Sequence, residues 1–139
     1  MNHLLRLFLL QKRSYLLGSF STLLSAAYIV FLIYTALLPN INLGIEKPFL
    51  HFDKVMHFVA YMVLSFLLIE SFYHLFSIRR LKSFLIVVYI SALVGALTEV
   101  LQHFFTNGAR KAEFADFIMD VLGALSIFVL LILRRKEKN

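Results

Sequence analysis

The chain has 139 residues, of which 60% are hydrophobic, and it lacks cysteine, which excludes a disulfide framework and thiolate chemistry. This length fits one domain, and the hydrophobic fraction exceeds that of soluble domains and excludes global disorder. The formal net charge is +6, but the basic residues form short clusters between apolar runs, which indicates membrane topology signals and excludes a nucleic-acid partner.

Four long apolar stretches follow one another along the chain, at residues 16–38, 55–76, 84–105 and 114–133. At about 1.5 Å per residue, a helix of each stretch is long enough to cross a hydrocarbon core of about 30 Å. The stretches are too long and too continuous for the strands of a membrane barrel. Because backbone polar groups in lipid need internal partners, we predict an all-α integral membrane protein, an antiparallel bundle of four transmembrane helices.

Two shorter segments flank this bundle. We predict a cytoplasmic or interfacial segment at residues 1–15, the helical domain at residues 16–133 and a basic cytoplasmic tail at residues 134–139. Residues 4–10 are apolar apart from Arg6, and such a segment can lie along the membrane interface as a short amphipathic helix. We do not expect cleavage as a signal peptide, because the first stretch is longer than a usual signal core.

The positions of lysine and arginine predict the orientation in the membrane. Ten of the fourteen lie before the first stretch, between the second and third, or after the fourth, and four lie in the other two connections. The side of a membrane protein that carries more lysine and arginine is normally cytoplasmic. We therefore predict that both termini lie in the cytoplasm, which agrees with an even number of spans.

Polar residues from four segments of the chain collect at the predicted outer end of the bundle, including six of the eight acidic residues. At about 1.5 Å per residue, Glu99 and Asp120 lie roughly 9 Å below the outer boundary. A carboxylate at that depth is unfavourable unless it faces protein or water, so we expect both to face a common cavity. The candidates for binding a substrate are Asp53, Lys54, His57, Tyr61, Glu99, Gln102, Arg110, Asp116 and Asp120.

Helical spacing places further residues on shared faces. Gly95 and Ser91 lie one and two turns before Glu99, and such a stripe of small residues lets a neighbouring helix approach closely. We therefore expect Glu99 to face the bundle. Glu70 and His74 are four residues apart at the opposite end, where we expect them to pair with each other or to extend to the cytoplasmic interface. We assign them no role in function.

Three short motifs, in this order, resemble the VanZ-like family of membrane proteins. Residues 53–61, DKVMHFVAY, resemble the family's DKxxHfxaY opening, and residues 99–102, EVLQ, are similar to its ExxQ element. The family's R…D…N..G element is matched by Arg110, Asp116, Asp120 and Gly123. The family commonly has asparagine where this chain has Asp120, so the resemblance implies no role for that position. The resemblance to the family covers nearly the whole chain.

The resemblance implies a multi-pass protein of the bacterial inner membrane with a polar site near the outer face. It also implies proximity to lipid-linked cell-wall precursors and a link to resistance to the glycopeptide teicoplanin. The expected partners are therefore membrane lipids and a lipid-linked cell-wall precursor. A homodimer is a further expectation, because a bundle of four helices encloses little volume of its own.

The sequence leaves several functions open. Arg110 and Lys54 could bind the phosphate of an anionic amphiphile, since arginine binds phosphate through two parallel hydrogen bonds. An enzyme would use a divalent cation on three of the acids, with His57 as general base. An ion or proton pathway would need polar residues through the whole membrane depth, whereas the middle of each stretch is nearly bare. Internal ion pairing is the purely structural alternative, and we assign no metal and no cofactor.

Overall fold

The computed structural model of the protein describes residues 3–38, 52–76, 80–105 and 113–136, and no strand occurs among them. The helices within these ranges are α1 (His3–Leu37), α2 (Phe52–Leu75), α3 (Arg80–Phe105) and α4 (Phe114–Lys136). The prediction of an all-α fold with four long helices is confirmed.

Each helix contains a segment that is long and apolar enough to cross a membrane. These segments are Leu9–Leu37, Phe52–Leu75, Lys82–Phe105 and Phe114–Leu131. The shortest has 18 residues, which at about 1.5 Å per residue nearly matches a hydrocarbon core of about 30 Å. By length and composition this is a multi-pass membrane protein, and the positions of its termini stay predictions.

The first helix is longer than the sequence predicts. It has 35 residues and runs without a break from His3 to Leu37. Residues 3–17 contain neither proline nor glycine, and seven of them are leucine, which favours helix. The segment predicted to lie separately along the interface is therefore the first part of α1.

Both α2 and α3 pack against all three other helices, and the contacts of α2 are the more extensive. The side chains of the hydrophobic core are Leu32, Tyr61, Leu64, Leu68, Ile69, Val87, Val94 and Ile127. The outward faces also carry large apolar side chains, among them Phe20, Leu23 and Leu85. Such a continuous apolar exterior is typical of a protein surrounded by lipid.

Two glycines mark the places where helix backbones touch. A Cβ atom on Gly123 of α4 would overlap the backbone carbonyl oxygen of Phe58 in α2. A Cβ atom on Gly18 of α1 would lie 2.8 Å from the backbone nitrogen of Leu75, near the end of α2. Close approach through small residues is the usual packing mode of membrane helices.

Replacing Gly123 by alanine is expected to lower the free energy of unfolding by at least about 1 kcal/mol, because overpacking forces the backbones of α2 and α4 apart. Unfolding in detergent micelles, followed by circular dichroism, measures this loss. Leu122→Ala is the control, since the neighbouring Leu122 is exposed on the outer face. Equal stability of Gly123→Ala and the native protein would contradict the close packing of the two helices.

Candidate functional site

Three helices bring polar side chains to one end of the bundle, which we call the polar end. The helices α2 and α4 begin there and α3 ends there. Lys54 and Asp116, in the first turns of α2 and α4, form a hydrogen bond of 3.3 Å. The backbone N–H of Glu113, just before α4, donates to Glu99 Oε2 on α3 at 3.0 Å. These contacts join segments that the sequence predicted to lie on the same side of the membrane.

The outermost part of the polar end is a lysine held by three acids, which we call the lysine cluster. Lys54 Nζ donates to Glu113 Oε2 at 2.8 Å and to Asp116 Oδ1 at 3.3 Å. Asp53 Oδ2 lies 3.8 Å from the same ammonium group. Only 10% of the Asp116 side chain is exposed, against 22% for Lys54. The positive charge of Lys54 is therefore already balanced within the protein.

Deeper in the bundle, His57, Glu99 and Asp120 form a second group, which we call the buried triad. The His57 imidazole donates from Nδ1 to Asp120 Oδ1 over 2.9 Å, since a carboxylate can only accept. The Asp120 side chain is fully buried, and 23% of His57 is exposed. One nitrogen or oxygen atom from each of the three residues lies within 4.8 Å of the other two. The structure thus brings the two membrane-depth acids together, as the sequence predicted.

Two oxygen atoms of the buried triad have no hydrogen-bond partner in the described part of the chain. Glu99 Oε1 and Asp120 Oδ2 are both buried, and neither atom contacts a donor among the described residues. Glycine makes room for one of them, since a Cβ atom on Gly95 would lie 2.8 Å from Asp120 Oδ2. The small-residue stripe on α3 therefore admits an acidic side chain of α4 at this point.

Hydroxyl groups continue from the polar end into the bundle. Thr98 donates to the carbonyl oxygen of Gly95 at 2.8 Å, so the Tyr61 hydroxyl donates to Thr98 Oγ1 across 3.2 Å. One turn deeper, the hydroxyls of Ser65 on α2 and Ser91 on α3 lie 2.9 Å apart, and both residues are fully buried. These pairs tie α2 to α3.

A double-mutant cycle of Ser65→Ala and Ser91→Ala is expected to give a coupling of about 0.6 kcal/mol, the average for hydrogen bonds between membrane helices. Unfolding of the native protein, the two single variants and the double variant in mixed micelles supplies the four free energies. Ser126→Ala is the control, because among the described residues that hydroxyl donates only to the carbonyl oxygen of Gly123 in its own helix. Additive losses in the cycle would show that the two serines do not interact.

An apolar layer lies beyond the serine pair. Leu68 and Ile69 on α2 and Val87 on α3 are buried one turn further from the polar end. Past this layer, Glu70 pairs with His74 at 3.4 Å, which confirms the predicted pairing. Buried hydroxyls recur past this layer, at Ser71 on α2 and Ser83 on α3, so one apolar layer separates two polar regions in the described part of the bundle.

The structure places the predicted site residues that it describes in different parts of the polar end. Gln102 is buried on α3, and the other described candidates lie in the lysine cluster, the buried triad or the Tyr61 pair. Arg110 lies outside the described residues. The sequence missed Thr98 as the partner of Tyr61 and Glu113 as a partner of Lys54. The carbonyl oxygen of Glu113 accepts the first backbone bonds of α4, and an acid immediately before an apolar run is the signal that could have identified this position.

No family model, curated protein or solved structure matches this chain. The class of protein that the fold and site define is a four-helix membrane protein with a polar site formed by α2, α3 and α4 at one end. The resemblance to the VanZ-like family stays a prediction from three short motifs.

Proposed function

We propose that this chain is a VanZ-like protein of the bacterial inner membrane, with both termini in the cytoplasm and the polar end at the outer leaflet. The polar end binds the head group of an anionic amphiphile, such as a polyprenyl phosphate or a lipid-linked cell-wall precursor. Support for the orientation comes from the distribution of lysine and arginine. Support for the ligand class comes from the motif resemblance and from the position of the polar site.

The observation that carries this proposal is the depth of the polar end. It begins at the second residue of α2, Asp53, and reaches the seventh residue of α4, Asp120. At about 1.5 Å per residue this is roughly the first 10 Å of the helices, so a head group at the hydrocarbon boundary would meet the outer part of the polar end. The isoprenoid tail of such a ligand would lie against the apolar exterior of the bundle.

The charge of the described residues limits how an anion can bind. Lys54 is already paired with three carboxylates, so it offers little net attraction to a phosphate. Arg110 and Lys111 lie in the connection between α3 and α4. Arginine matches phosphate oxygens through two parallel hydrogen bonds, and we propose that Arg110 supplies the main contact with the head group.

The test is mass spectrometry of the protein purified gently from its membrane. We expect a phosphorylated isoprenoid with the native protein and with Arg79→Gln, and its loss from Arg110→Gln. Arg79 is the matched control, since it lies in the connection at the opposite end of the bundle. Bulk phospholipid as the only lipid in all three samples would contradict the proposal. The same spectra report the mass of the expected homodimer.

A second candidate function is an enzyme that acts on a lipid-linked phosphate or carbonyl compound. The observation that favours it is the His57–Asp120 hydrogen bond of 2.9 Å. A buried acid that fixes an imidazole leaves the second ring nitrogen free to accept a proton, which is the arrangement of a general base. This function predicts turnover of an undecaprenyl phosphate or pyrophosphate substrate in proteoliposomes and loss of turnover in His57→Gln. Absence of turnover with the native protein would exclude it for these substrates.

A further inference from the structure

We propose that the buried triad of His57, Glu99 and Asp120 binds a divalent transition-metal ion of the Zn²⁺ type. This site stands on the geometry of the triad and does not depend on the identity of the amphiphile. Its failure would leave the lipid-binding proposal intact, because that proposal is tested by the lipids that the protein retains.

The first argument is the distance between the donor atoms. One donor atom from each triad residue lies within 4.8 Å of the other two. Ligands of a common zinc ion lie about 2.1 Å from it, and hence roughly 3–3.5 Å from one another. His57 Nδ1 and Asp120 Oδ1 are already 2.9 Å apart. Small side-chain rotations are enough to bring the third donor to a shared ion.

The second argument is the pair of unpartnered oxygen atoms. A buried polar atom without a partner is unfavourable by about 1–3 kcal/mol, and in native proteins it commonly marks an ion or a water molecule. Glu99 Oε1 and Asp120 Oδ2 are both in this state among the described residues, and the Asp120 side chain is fully buried. A metal ion satisfies such lone pairs directly.

The third argument is the contrast with the lysine cluster. The described part of the chain contains two groups of potential metal ligands, the buried triad and the three acids around Lys54. Both groups lie at the polar end. The ammonium group of Lys54 already occupies the position that a cation would take among those acids. Within the described ranges, neither Glu99 nor Asp120 forms an ion pair with a lysine or an arginine.

The kinds of donor atom decide the class of metal. Magnesium and calcium prefer oxygen ligands throughout, whereas an imidazole nitrogen combined with carboxylates suits zinc and neighbouring transition metals. On binding at Nδ1, the ion takes the place of the proton held between His57 and Asp120. A neutral imidazole carries this proton on Nε2 instead, whereas an imidazolium releases one proton to solvent. Three protein ligands leave the fourth position of a tetrahedral zinc open. A water molecule or a phosphate oxygen fits that position.

The experiment is a metal titration of purified protein that has been stripped with a chelator. Bound Zn²⁺ is counted by elemental mass spectrometry after gel filtration, and Mg²⁺ is the comparison ion. We expect one Zn²⁺ per chain, at least about ten-fold weaker binding in Asp120→Asn and Glu99→Gln, and no change in Asp116→Asn. Asp116 is the matched control, because it is also buried and acidic but belongs to the lysine cluster.

Two further measurements keep the proposal open to refutation if a triad variant does not fold. Co²⁺ in the native protein should give the visible absorption bands of a site with nitrogen and oxygen ligands. Absence of stoichiometric zinc and of these bands in the native protein would overturn the proposal, as would equal zinc binding in folded Asp120→Asn. Zinc binding by Arg110→Gln but not by the native protein would also overturn it, because the arginine would then be the cation of this site.

Discussion

Replacing His57 by leucine is expected to lower the free energy of unfolding by about 3 kcal/mol, a typical loss when one member of a buried ionic or hydrogen-bonded pair is removed. Asp120 is fully buried, and its Oδ1 atom accepts a hydrogen bond from His57 at 2.9 Å. With leucine at position 57, neither carboxyl oxygen of Asp120 has a partner among the described residues, since Oδ2 already lacks one. Thermal or denaturant unfolding of the purified protein in detergent micelles measures the loss.

His103→Leu is the matched control for this substitution. His103 is exposed on α3, so its replacement should change stability little. The double variant His57→Leu/Asp120→Leu should recover most of the lost stability, since apolar side chains of similar volume can replace a buried polar pair at little net cost. A double variant as unstable as His57→Leu would show that the loss does not come from an unpaired Asp120.

Replacing Lys54 by methionine is expected to lower the free energy of unfolding by about 2 kcal/mol, less than the full value for a buried pair because the lysine cluster is partly exposed. Methionine keeps much of the length and apolar contact of the lysine side chain but removes the ammonium group that faces three carboxylates. The remaining acids would then repel one another. Unfolding in micelles at low ionic strength measures this effect at its largest.

The control for Lys54→Met is Lys82→Met, because Lys82 is an exposed residue near the start of α3. A second substitution, Asp116→Asn in the Lys54→Met background, should restore part of the stability by removing the most buried of the three acids. If Lys54→Met is as stable as Lys82→Met, the lysine cluster does not contribute to the fold.

The helices could be predicted from the sequence because long apolar runs have few other solutions in a membrane. The ends of the helices are predicted less accurately, because a helix can continue into polar residues that lie beyond its apolar run. The second helix begins at Phe52, three residues before the predicted stretch, and so includes Asp53 and Lys54 in its first turn. The fourth helix continues to Lys136, where basic side chains are favourable at a helix C-terminus.

The meeting of His57, Glu99 and Asp120 could be predicted in outline from depth and helical spacing. The individual pairings could not. Lys54 has acidic partners at Glu113 and Asp116 that lie 59 and 62 residues further along the chain. Which acid a lysine contacts over such a separation depends on the rotation of each helix about its axis, and the apolar pattern of these all-round hydrophobic helices hardly constrains that rotation.

The functional roles that depend on the VanZ-like resemblance remain predictions from sequence motifs alone. Arg110 carries the proposed contact with a phosphate, and its position lies outside the described residues. The acids and His57, in contrast, are related by distances within the described structure. The metal-binding proposal therefore rests on the structure of the buried triad, whereas the lipid-binding proposal rests on charge, depth and motif.

The most direct test of the account is the side of the membrane on which the polar end lies. The chain has no cysteine, so single cysteines can be labelled without a background. Asn107→Cys lies in the connection at the polar end and Asn139→Cys at the C-terminus. A membrane-impermeant thiol reagent should label Asn107→Cys in intact spheroplasts and should label Asn139→Cys only after permeabilisation. The reverse pattern, or labelling of both in intact spheroplasts, would contradict an outward-facing polar site.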